Sequence, residues 1–120
     1  MGNPAQIEVK SEEGSVFLYT HYRGVDGCRE AIYEATDVGE DRLNDPPYFT
    51  RILFCSLILS GGGDFTGTLG YGISPKSLGE VGCVVDLVEQ TIDGEPVHKW
   101  RQRQALNEMT RISEELGLYE

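Results

Sequence analysis

Short alternating runs open the chain, and two of them read as β-strands. Gln6 to Lys10 and Val16 to His21 are joined by Ser11-Glu12-Glu13-Gly14-Ser15. The second run puts Val16, Leu18 and Thr20 on one face and Phe17, Tyr19 and His21 on the other. Both faces are apolar at its start, which predicts a central strand. The period then changes. Cys28, Ala31, Ile32 and Ala35 recur at three and four residues, a narrow helical stripe between an Asp26 cap and Gly39. That helix is expected at the surface, with Arg29, Glu30, Glu34 and Asp37 facing water.

The clearest helix start is Asp45-Pro46-Pro47, with Asp45 as cap and Pro46 in the first turn. Tyr48 to Leu59 follows and is apolar around nearly its whole girth, which predicts burial on more than one side. Arg51 is the one charged side chain within it. A glycine-rich stretch from Ser60 leads into a strand over Thr68 to Ser74. Gly82 to Val88 reads as a second central strand, extended through Ile92. Asp93-Gly94 is a hairpin signal, and Pro96 confines the returning strand to an edge. From about Trp100 a last helix carries Ala105, Leu106, Met109, Ile112 and Leu116 at helical spacing and stops at Gly117. It is expected either to pack on the sheet or to make a dimer contact. The pattern predicts the α+β class: a mainly antiparallel sheet of about five strands, packed against one buried central helix, with two further helices. Residues 1–120 form one domain, since no linker divides them.

Charge changes the picture of partners. The chain has 20 acidic and 10 basic residues, a net of −10. Residues 1–98 carry all of it, because residues 99–120 hold four charges of each sign. Such a surface repels phosphate backbones, so direct nucleic-acid binding is not expected. Neither a long apolar run nor a leader-like segment is seen, so no membrane contact is expected and the cytoplasm, of the host cell if viral, is the expected compartment. The three cysteines, Cys28, Cys55 and Cys83, form no CxxC pair and read as reduced core thiols. No metal and no cofactor is expected, because HExxH, P-loop and GxGxxG spacings are all missing.

The strongest constellation lies where the second strand ends. Tyr19, His21, Tyr22 and Arg23 offer aromatic faces, an imidazole and a guanidinium to a planar or anionic ligand. Arg51 and Tyr71 are candidates to join them, with Asp64, Thr66 and Thr68 closing over from the glycine-rich loop. The plainer alternative is that His21 and Arg23 satisfy local backbone and carboxylate groups.

Several segments resemble a family of small uncharacterised proteins of phage, prophage and bacterial genomes. They are Val16 to Gly24, Asp41-Arg42 with Asp45 to Tyr48, Arg51 to Phe54, Gly70 to Ser74, Val84 to Asp86 and Gln90 to Ile92. Tyr22 stands where that family commonly has Trp, and the segment from Lys99 onward has no counterpart. The resemblance implies a shared fold and a viral setting, without an activity. Three functions follow as expectations. The first is a non-enzymatic binding protein that sequesters a small nucleotide-like host signal, a sponge against host defence. The second is an acidic inhibitor that docks on a basic host protein through carboxylates of residues 26–45. The third is a small hydrolase using His21. No catalytic residue is assigned, and a homodimer is compatible with the last helix.

Overall fold

Six strands and three helices account for the ordered architecture in the computed structural model, which describes residues 3–62 and 70–117. β1 (Ala5–Ser11) and β2 (Gly14–Thr20) form the expected hairpin, with Ile7 opposite Leu18 and Val9 opposite Val16. α1 (Gly24–Val38), a single 3-10 turn at Glu40–Arg42 and α2 (Pro46–Leu59) come next. β3 (Tyr71–Ser74), β4 (Cys83–Asp86), β5 (Thr91–Ile92), β6 (Glu95–Pro96) and α3 (Val97–Glu115) complete the chain. The sheet order is β3-β2-β1-β4-β5-β6, and only the β1–β4 pair is parallel. The fold is therefore α+β with a mixed, mostly antiparallel sheet.

The registers explain the core. Ala5, Ile7 and Val9 share a face with Leu18, Cys83, Val85 and Ile92, and all seven are buried. α1 and α2 cover that face through Cys28, Ala31, Ile32, Phe49, Leu53 and Leu57. α1 keeps its acidic outer side, yet it is less peripheral than its narrow stripe suggests. It packs on β1, β4, α2 and α3, because Gly27, Cys28, Ala31 and Ala35 let neighbouring backbones approach closely. The opposite face of the sheet is crossed by the segment between β3 and β4. Buried Gln6 holds that segment: its amide donates to Ser77 Oγ (3.0 Å) and Gly79 O (2.8 Å), and its carbonyl accepts from Leu78 N (3.2 Å). Without these bonds a buried amide would cost about 1–3 kcal/mol.

Several boundaries differ from the sequence expectations. α1 starts three residues early, with Arg23 rather than Asp26 at its N-cap, because Gly24 (φ 65°) makes the turn out of the sheet. Asp26 lies in the first turn, where a carboxylate suits the helix dipole. The expected continuous strand through Ile92 is broken. Asp86 accepts bonds from Val88 N and Glu89 N, both 3.0 Å, and Gln90 has φ 55°, so the chain reverses and β5 pairs antiparallel with β4. The Asp93-Gly94 turn forms as expected, both residues having positive φ. β6 ends at Pro96, and α3 begins three residues before Trp100. The start of the expected strand at Thr68 lies outside the described residues.

Candidate functional site

β2 ends at Thr20, and the next three residues leave in different directions. The Tyr19 hydroxyl and His21 Nδ1 are hydrogen-bonded at 2.9 Å. The His21 ring meets the Tyr22 ring edge-on, centroids 4.6 Å apart, and Tyr22 is exposed. The backbone fixes this corner: Asn3 N donates to His21 O (2.7 Å) and His21 N to Gly70 O (2.8 Å). Tyr19, His21 and Tyr22 therefore do gather, on the side of the sheet away from the helices.

Arg23 turns the other way. Its Nη1 donates to Leu57 O (3.0 Å) and to Ser60 Oγ (2.7 Å), and its Nη2 pairs with Glu30 at 3.2 Å. A guanidinium on the last carbonyls of a helix satisfies groups that have no partner within it, and it suits the dipole there. The side chain keeps 12% of its surface exposed. It threads between two glycines, since a Cβ on Gly27 would lie 2.3 Å from Arg23 Cβ and one on Gly61 2.6 Å from Arg23 Cδ. The Tyr71 hydroxyl lies against the same glycine, 2.7 Å from a Cβ built on Gly61. Arg23 is thus a staple joining the start of α1 to the end of α2, with the Tyr71 hydroxyl of β3 beside it at Gly61. This is the local-satisfaction alternative, with Glu30 and the end of α2 in place of Asp26.

Arg51 is elsewhere. It is exposed in the first half of α2, with its guanidinium 4.9 Å from the centre of the Tyr48 ring, which Arg42 also overlies at 4.6 Å. The single anion pocket expected from Arg23 and Arg51 is therefore not formed by these residues. Helical geometry puts Arg51 on an outward face six residues before Leu57, whereas Arg23 is committed to the helix end. Asp64, Thr66 and Thr68 lie outside the described residues.

The thiols carry no visible chemistry. Cys28 and Cys83 are buried in the core, and burial pushes their thiols up to about 11 and about 12, so both stay protonated. Among the described residues no group of three His, Cys, Asp or Glu side chains stands close enough to hold a metal ion.

Two open clefts stand out among the described residues; neither includes a residue of the strand-end constellation, though Glu40, one of the carboxylates of residues 26–45, lines the second. The larger, about 820 Å³, lies between the β1–β2 turn, the start of α2 and the turn before β5. Val9, Val16, Pro46, Pro47, Leu87 and Val88 make it largely apolar. Its charged lining residues are Glu12 and Glu13, both exposed and without an ion-pair partner among the described residues. No Lys, Arg or His lines it. Pro46 and Pro47 also remove two amide donors from the start of α2, so that helix end offers little to an anion. The second cleft, about 700 Å³, runs between α1 and α3 past Tyr33, Leu43, Val97, Arg101 and Ala105. The clue to the first cleft was in the sequence as two unrelated features, the Glu12-Glu13 turn and the double proline. Their meeting depends on the sheet register.

The protein is thus an α+β domain with an acid-rimmed apolar cleft at one end of a mixed sheet. Comparison with protein-family models, with curated proteins and with solved structures finds no match.

Proposed function

We propose that the chain is a non-catalytic protein-docking module, which takes a basic segment with apolar side chains from a partner into the cleft beside Glu12 and Glu13. The observation that carries this reading is the lining: an apolar floor and, among the described residues, two carboxylates without an ion-pair partner at the rim and no basic group. A cation entering it gains Coulomb attraction, and its apolar neighbours lose water against Val9, Pro46 and Leu87. The outer row of α1, with Asp26, Glu30, Glu34 and Asp37 all exposed, adds a long-range field that speeds the approach of a basic partner. This reading is favoured over the small-anion one, which needs Arg23 and Arg51 in one place. In the phage-type setting that the sequence resemblance implies, the partner is a basic host protein, and the module inhibits it by covering its basic surface.

The test uses a fluorescein-labelled peptide of alternating Lys and Val, followed by anisotropy. Binding is expected to weaken with salt, as charge screening requires. The double change Glu12→Lys with Glu13→Lys should cost about tenfold in Kd, or about 1.4 kcal/mol. Reversal of Glu34, Asp37 and Glu40 should slow association with a smaller change in the dissociation rate. Absence of peptide binding, or binding indifferent to the Glu12/Glu13 reversal, overturns the cleft as the docking site.

A further inference from the structure

α3 begins well anchored and ends bare. Trp100 is buried, and Arg101 bonds to Tyr33 O and to Thr36 Oγ (2.6 Å), while its guanidinium lies 4.1 Å from the Tyr33 ring centre. Beyond Ala105 the anchoring stops. Leu106, Met109, Ile112 and Leu116 are 63%, 64%, 41% and 66% exposed, four of the large apolar side chains left in water among the described residues. A helical arm of this length is marginal by itself, and its stability comes from covering its apolar stripe.

We infer that this arm is a self-association element, pairing antiparallel with the same helix of a second copy of the chain. Charge selects the occupant. Two bodies that each carry −10 repel where their acidic surfaces meet, whereas residues 99–120 balance four charges of each sign and let two copies approach without that cost. A basic partner is drawn instead to the acidic body. Charge also selects the direction. The first part of α3 holds Lys99, Arg101 and Arg103 with no carboxylate between Val97 and Arg103, whereas the later part is net acidic, with Glu108, Glu114 and Glu115 against Arg111. An antiparallel pair sets unlike ends together and places the two acidic bodies at opposite ends. A parallel pair stacks like on like.

The cleft between α1 and α3 completes the fit. Its lining residues Val97, Arg101 and Ala105 lie on the same helical face that continues as Met109, Ile112 and Leu116. In the antiparallel arrangement Met109 of one copy packs beside Ala105 of the other, large against small. Leu116 then enters the cleft next to Val97. The result is a two-fold contact in which each arm fills the other copy's groove.

Sedimentation equilibrium on the whole chain tests the pairing. A dimer is expected at about 100 μM, where a Kd of about 1 μM leaves most chains paired. Met109→Glu and Ile112→Glu should each yield monomer with unchanged near-ultraviolet circular dichroism, because both side chains are exposed in the single chain. Direction is read by disulfide trapping in a Cys55→Ser background. An Ala105→Cys chain should cross-link to a Met109→Cys chain, and Leu116→Cys should not cross-link to itself. A monomer at all concentrations, or a dimer that survives both glutamates, overturns the pairing. Self-cross-linking at position 116 overturns the antiparallel direction.

Discussion

Two residues read alike in sequence have different physical fates. Arg23 and Arg51 are both arginines beside aromatic residues, and each was a candidate for the same anion. Arg23 is bonded to the end of α2 and to Glu30, whereas Arg51 lies on Tyr48 in water. Arg23→Met should therefore cost about 2–3 kcal/mol in urea unfolding, since it strands helix-end acceptors that have lost their partner. Arg51→Ala should stay within about 0.5 kcal/mol. Equal costs would mean that the staple is not formed. Thr20 is the converse case. It is fully buried, and its hydroxyl has no hydrogen-bond partner among the described residues. Thr20→Val removes an unsatisfied group without emptying its space, so a gain of about 1 kcal/mol is expected in the same assay. A clear loss would show that the hydroxyl is satisfied.

At the scale of elements, sequence patterns were legible wherever local chemistry decided the outcome. The β1–β2 hairpin, the Pro46 start of α2 and the Asp93-Gly94 turn rest on alternation, on a fixed proline φ and on positive φ at two adjacent residues. The break between β4 and β5 was not legible. Leu87 and Val88 continue an apolar run, and the Asp86 carboxylate bonding to the next amides, with Gln90 at positive φ, turns the chain. The place of α1 was misjudged for a related reason. A stripe of small residues has a low apolar signal but permits close contact with several neighbours, which is a property of the packing partner as much as of the helix. The apolar stripe of α3 was legible as a stripe, though not as one left bare from Leu106 onward.

Across the whole molecule, one-sided charge and a thiol-containing core set the response to solution conditions. Cys28 and Cys83 have folded-state values raised above the ordinary thiol value near 9, by burial first and, for Cys83, by Asp93 next. Below about pH 9 both thiols are protonated in the folded and unfolded chains and contribute no pH dependence. Above it the unfolded chain loses protons first, so stability falls as pH rises, up to about 11 for Cys28 and about 12 for Cys83. The slope should approach about 1.4 kcal/mol per pH unit for each thiol. Urea unfolding between pH 8 and 10.5 measures it, and a double Cys→Ala chain should lose most of that slope. A slope that persists in the double variant would place its source elsewhere. Iodoacetamide at pH 8 should leave Cys28 and Cys83 unmodified in the folded chain.

The sequence by itself determined the α+β class, the acidic body with its neutral last helix, and the local starts and turns of most elements. These follow from composition, from the periods of strand and helix, and from the fixed torsions of proline and glycine. Tertiary structure alone decided that Arg23 serves a helix end, that Arg51 stands apart from it, and that Glu12-Glu13 meets Pro46-Pro47 across a cleft. Those are relations between residues tens of positions apart. Their geometry is set by strand register and by which helix packs where, and no local pattern encodes either.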